Sequence, residues 1–169
     1  MTNTPCPERR WWLTRAAAMA CAPLVGACGR QEMAPDVGFV RMDGQSAQLA
    51  DWRGRVVLVN FWATSCASCV AEMPDLVATH RQFHARGYET LAVAMSYDPP
   101  AYVVNFVERR QLPFTVTLDN TGHLAKAFGD VKVTPTSVLV DKAGRVVKRY
   151  VGPPDFPAMN RLIEQLLTA

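Results

Sequence analysis

Residues 56–69 read Val56-Val57-Leu58-Val59-Asn60-Phe61-Trp62-Ala63-Thr64-Ser65-Cys66-Ala67-Ser68-Cys69. The first seven form a continuous, largely β-branched and aromatic apolar run, which suits a central strand covered on both faces. Beyond the two cysteines, Val70, Met73, Leu76, Val77, His80 and Phe83 recur at helical spacing. That spacing predicts a helix to about Arg86, closed by Gly87. The C-x-x-C therefore sits where a buried strand gives way to a helix.

This position has a chemical consequence. Backbone N–H groups at a helix start are unpaired and carry partial positive charge. A thiolate there is stabilised, so its pKa falls below the free-thiol value of about 8.5. The first sulfur faces those groups and solvent, and the second lies one turn deeper. Cys66 is accordingly read as the nucleophile and Cys69 as the resolving thiol, the two parts that thiol–disulfide exchange needs. A static disulfide would close a loop too short to constrain the unfolded chain much. Half of a zinc site is the other alternative. Zinc normally takes four Cys or His ligands, and the sequence has no second C-x-x-C. His80 and His84 stand four residues apart on the expected helix, more than two turns beyond Cys69. They are read as partly exposed helix residues, and His123 as isolated. No metal and no cofactor are expected.

Working outward, Val37–Met42 and Ser46–Leu49 flank Asp43-Gly44 and predict a small hairpin. Arg53-Gly54-Arg55 reads as a turn. Thr90–Met95 and Phe114–Leu118 read as further strands, with a helix at about Ala101–Arg110 opened by Asp98-Pro99-Pro100. A short helix follows near His123–Phe128. Ser137–Val140 and Arg145–Tyr150 flank Asp141-Lys142-Ala143-Gly144 as a second hairpin, with glycine placed for a positive φ. Pro157–Leu167 is an amphipathic closing helix. Strands alternating with helices predict an α/β fold: a central mixed sheet flanked by helices, with right-handed crossovers and an antiparallel hairpin at its end.

The N-terminus reads as a targeting segment. Arg9, Arg10 and Arg15 precede an Ala-rich apolar run, Ala16 to Ala27, that is short of the roughly 20 residues a spanning helix needs. It ends in Leu24-Val25-Gly26-Ala27-Cys28, which resembles a bacterial lipobox with Cys28 as the lipidated residue. The alternatives are an ordinary secretory signal and an uncleaved anchor. Arg9-Arg10-Trp11-Trp12-Leu13 weakly resembles a twin-arginine signal. The expected organisation is a signal peptide over 1–28, a linker over 29–36 and one domain over 37–169. If Cys6 and Cys21 leave with the signal and Cys28 carries lipid, only Cys66 and Cys69 remain as a thiol pair outside the cytosol, disposed to cycle as a disulfide.

The chain has 169 residues, 49% of them hydrophobic and 20% charged, enough for one packed domain plus a short appendage. The net charge is +3, and much of it sits in the N-terminal arginines. The nearly neutral body excludes a nucleic-acid surface built of clustered Lys and Arg.

Asn60–Cys69 resembles the thioredoxin superfamily. The wider stretch resembles its TlpA/ResA branch of exported thiol–disulfide oxidoreductases. The features are Gly54–Thr64 before the cysteines, Cys69-Val70-Ala71-Glu72-Met73-Pro74 after them, and Val133-Thr134-Pro135-Thr136 before a strand. The resemblance covers roughly residues 35–165. It implies a thioredoxin fold with an N-terminal hairpin extension, and a cis Pro135 facing the C-x-x-C. It also implies a Thr134 backbone that pairs with substrate as a short strand. A trans turn proline is the plain alternative. A partly buried Glu72 would move a proton to or from Cys69; the alternative is a surface carboxylate beside the helix dipole. Pro74 would kink the helix, and Trp62 would pack beneath the site.

Three residues depart from thioredoxin proper. Asn60 replaces a buried Asp and cannot accept the proton, which favours Glu72. Ser65 replaces the usual Trp before the first Cys, making the site more polar. Ala67-Ser68 is the intervening pair that tunes potential.

The expected activity is a disulfide reductase outside the cytoplasm. It would act on oxidised protein thiols, such as an apocytochrome c or a metal-site cysteine pair, and take electrons from a membrane thiol carrier. The chain would be a periplasm-facing, lipid-anchored monomer. The direction rests on the resemblance, since an oxidant or isomerase uses the same parts. A Cu(I)-handling protein is a rival, although copper-carrying relatives resemble C-x-x-x-C with a distal His. A thiol peroxidase would need Thr or Ser where Ala63 stands.

Overall fold

The computed structural model describes Met1, Thr2 and residues 31–169. The expected signal segment and Cys28 lie outside the described residues. Residues 31–169 form one compact unit. Among the described residues no helix is long and apolar enough to cross a membrane.

The elements run β1 (Gly38–Val40), β2 (Ser46–Gln48), β3 (Val56–Trp62), α1 (Ala67–Phe83), β4 (Tyr88–Ala94), α2 (Pro100–Arg110), β5 (Thr115–Leu118), α3 (His123–Ala127), β6 (Thr136–Val140), β7 (Val146–Val151) and α4 (Phe156–Thr168). The main sheet has the order β5-β4-β3-β6-β7, and β1 and β2 form a separate antiparallel hairpin. β3, β4 and β5 are parallel; β6 and β7 are antiparallel additions. This is the expected mixed sheet with helices on its faces.

β3 is buried at every position, which explains its uninterrupted apolar character. Side chains alternate across a strand. Val56, Leu58 and Trp62 join Met73, Leu76 and Phe83 of α1, Val103 of α2, and Met159 and Ile163 of α4 in one core. Val57, Val59 and Phe61 join Leu124, Ala125 and Phe128, with Phe39 of the hairpin, in a second core on the opposite face. Each large side chain buried in this way contributes about 1.5–3 kcal/mol. Asn60 shares the parity of Leu58 and Trp62, so its amide points toward α1.

Two features differ from the sequence expectation. Leu49–Trp52 forms a 3-10 turn that buries Leu49 and Trp52, and the Trp52 ring lies 5.4 Å from that of Phe39. Asp51 Oδ2 accepts the Gln48 N–H at 2.9 Å and holds the turn. Part of the expected linker is docked on the domain: Ala34 N–H donates to Gly144 (2.9 Å), Glu32 accepts from Val146 N–H (2.7 Å), and Ala34 is buried. Backbone pairing with the β6–β7 hairpin, invisible in composition, orders these residues.

Candidate active site

Cys66 is the N-cap residue of α1, in extended conformation, and its Sγ accepts the Cys69 N–H at 3.2 Å. It is bonded to Cys69 in a disulfide with the two Cα atoms 5.2 Å apart. Cys66 is partly exposed and Cys69 fully buried. In the reduced protein a Cys66 thiolate faces the unpaired amides of the helix start, where negative charge is favoured. The Ser68 hydroxyl lies 3.4 Å from the same sulfur and is a further donor to it. Only the first sulfur is open to attack; the second is held behind it.

A buried polar cluster lies on the α1 side of the sheet. Asn60 Nδ2 donates to Glu72 Oε1 and to Ser137 Oγ, both at 2.9 Å. Asn60 and Ser137 are direct cross-strand partners in the β3–β6 register. Glu72 lies one turn beyond Cys69 and is buried, which sets aside the surface carboxylate. Burial raises its pKa from 4.5 to about 7; the Asn60 amide opposes this and Asp75 adds to it. The carboxyl is therefore poised to gain or lose a proton near neutrality. Glu72 Oε2 has no hydrogen-bond partner among the described residues.

The loop before Cys66 is anchored from the segment between β4 and α2. Asp98 is buried and accepts from the Thr64 N–H (2.5 Å) and the Thr64 hydroxyl (2.6 Å). In the sequence Asp98 reads only as the start of a helix. The Asp-Pro-Pro pattern carries no sign of a partner 34 residues away.

The Thr134–Pro135 bond is cis and Pro135 is buried. Phe61 opposite Thr136 puts Pro135 beside the end of β3, where the chain leaves the sheet for the cysteines. Thr134 is half-buried, and the exposed Tyr97 hydroxyl lies 3.2 Å from its Oγ1, a contact the sequence did not suggest. Trp62 is fully buried, its ring 5.1 Å from Phe106. Pro74 lies within α1 on its exposed side.

His80 corrects the expectation of two partly exposed histidines. It is buried against Phe114 and Tyr88, and only His84 is exposed. Burial and the neighbouring His84 lower the His80 pKa to about 4. His123 is not isolated: its Nε2 donates to the Gly38 carbonyl at 3.0 Å, joining α3 to the hairpin.

Residues 30–163 match the Redoxin family model. The chain is 34% identical over 119 residues to the thiol-disulfide oxidoreductase ResA of Bacillus thuringiensis subsp. konkukian, covering 70% of this chain and 68% of that protein. Among solved structures, the putative thioredoxin from Neisseria meningitidis superposes with a TM-score of 0.76 at 38% identity, covering 82% of this chain and 91% of that one. The exposed lipoprotein thioredoxin Etrx1 of Streptococcus pneumoniae gives a TM-score of 0.69 at 26% identity, covering 78% and 100%. With a thioredoxin fold, a helix-capping disulfide and these relatives, the chain belongs to the Redoxin family and is a ResA-like thiol–disulfide oxidoreductase.

Proposed function

We propose that this protein reduces protein disulfides outside the cytoplasm. The observation that carries the exchange chemistry is the asymmetry of the pair, with an accessible Cys66 sulfur at a helix N-terminus and a fully buried Cys69; the reducing direction rests on the family resemblance. The Cys66 thiolate attacks one sulfur of a substrate disulfide, forms a mixed disulfide and releases one substrate thiolate. Cys69 then attacks Cys66 Sγ, closes the internal disulfide and releases the second substrate thiolate. Two electrons pass to substrate. Glu72 takes the proton that Cys69 loses and returns it when the pair is reduced again. Extended substrate pairs with the Thr134 backbone beside Pro135.

Electrons return from a membrane thiol carrier, and the substrates are oxidised cysteine pairs of exported proteins, such as those of cytochrome c maturation. The lipobox-like end at Cys28 supports a lipid anchor facing the periplasm, and a lipoprotein with this fold stands among the structural relatives. The domain acts as a monomer.

The test is substitution of each cysteine. Cys66→Ser abolishes reduction of a model protein disulfide, and Cys69→Ser accumulates mixed disulfides with native partners. Full activity of Cys66→Ser removes the assignment. Equilibration with glutathione separates a reductase, whose pair stays oxidised up to high ratios of reduced to oxidised glutathione, from an oxidant, whose pair is already reduced at low ones. A precursor that is processed normally in globomycin removes the lipid anchor.

A further inference from the structure

At the far end of α1, some 20 Å along the helix from Cys66, a second group of chemically capable side chains meets. His80 and His84 stand one turn apart, with ring centroids 4.6 Å apart. The chain then turns at Gly87, in the left-handed region at φ 96°, and β4 begins. That turn carries Glu89 back to the two histidines. One nitrogen of each imidazole and one Glu89 carboxylate oxygen lie within 4.8 Å of one another. Glu89 and His80 are buried, and His84 is half exposed. A cleft of about 500 Å³ opens onto the group, and Asp43 also lines it. Taken alone, the sequence offers His80 and His84 no third ligand; the fold supplies it.

We infer that His80, His84 and Glu89 form a binding site for Zn(II), with an open fourth position toward the cleft. Two imidazoles and one carboxylate suit zinc and leave room for water. Hard cations such as Ca(II) prefer all-oxygen sets, which this site lacks. His80 Nδ1 lies 3.3 Å from the Thr90 hydroxyl, an outer contact that orients the ring. Its other nitrogen has no hydrogen-bond partner among the described residues.

Two contacts compete with the metal. The Arg55 guanidinium donates to Glu89, and His84 Nδ1–H donates to the Tyr88 carbonyl at 3.2 Å. Binding therefore moves Arg55 aside or onto the second carboxylate oxygen. The metal is too far from Cys66 to join the exchange chemistry. Its effect is to tie the end of the catalytic helix to β4.

The experiment is calorimetric titration of Zn(II) into the untagged full chain, with the Cys66–Cys69 disulfide closed and Cys6, Cys21 and Cys28 alkylated. Every thiol ligand is thereby removed. One equivalent binds, and Co(II) in its place gives visible absorption. Substituting the exposed ligand, His84→Ala, or making Glu89→Gln weakens binding by roughly tenfold or more. Arg55→Gln tightens it by freeing the carboxylate. His84→Ala retains full disulfide exchange, which shows that the domain is folded. Absence of a stoichiometric event overturns the site, and so does binding that survives both ligand substitutions unchanged.

Discussion

Asn60 in the central strand donates its amide to Glu72 in the cysteine-bearing helix across 2.9 Å, and to Ser137 in the next strand over the same distance. The amide holds the carboxyl in place and pulls its pKa down, while burial pushes it up to about 7. Where thioredoxin proper carries a buried acid on the strand, this protein carries the acid on the helix and a neutral donor on the strand. The acid then sits one helical turn from Cys69.

Glu72 makes stability depend on pH. Its folded pKa is about 7 against an ordinary value of 4.5. A raised carboxyl contributes stability in full below the unfolded value and loses it as pH rises through the folded value. Glu72→Gln abolishes that loss. The stability of the variant relative to the parent, both with the disulfide closed, should climb between pH 4.5 and pH 7 by up to about 3 kcal/mol and then level. His80, depressed to about 4, acts in the opposite sense between pH 6.5 and pH 4, so the difference between the two proteins is the quantity to measure. Urea melts across that range check it; a flat difference contradicts the buried, raised carboxyl.

Asn60→Val should move the proton-transfer step. Removing the amide takes away the hydrogen bond that favours the ionised carboxyl, so the Glu72 pKa rises further. The pH profile of Cys69 resolution, followed by release of a mixed-disulfide model substrate, shifts to higher pH. Ser137 and Glu72 lose a buried partner, which costs about 1–3 kcal/mol.

Asp98→Ala should loosen the loop that carries Cys66. It leaves the Thr64 N–H and hydroxyl without their acceptor. A buried donor left unpaired costs about 1–3 kcal/mol. For a domain of this size each kcal/mol lowers Tm by about 2–4 °C. Thermal melts measure the loss, and slower exchange by the folded variant shows that the loop orients the nucleophile.

Ser68→Ala should make Cys66 less acidic. The hydroxyl is a donor to the sulfur at 3.4 Å. A typical net hydrogen-bond contribution is about 1 kcal/mol, or roughly 0.7 of a pKa unit. Titration of thiolate absorbance in the reduced protein checks the rise, and an unchanged value places the hydroxyl in water.

The stretch from Val56 to Phe83 was legible because its signals are local. Unbroken burial on β3 requires apolar residues at both parities, and α1 announces itself by its own periodicity. The acidity expected of Cys66 follows from its place at the helix start, which residues 56–83 determine among themselves. The Leu49–Trp52 turn escaped notice because a few residues that bend to bury a tryptophan leave no period to read.

Tertiary structure alone decided which distant residues serve the site. Asp98 reaches Thr64 because Trp62 lies opposite Ala94 in the parallel β3–β4 register, so both strands end at the same level. Ser137 meets Asn60 through the antiparallel register of β6. Glu89 meets His80 and His84 because a left-handed glycine folds β4 back along the end of α1. A sequence displays the period of each element, whereas register and chain reversal between elements are settled by packing the two cores at once.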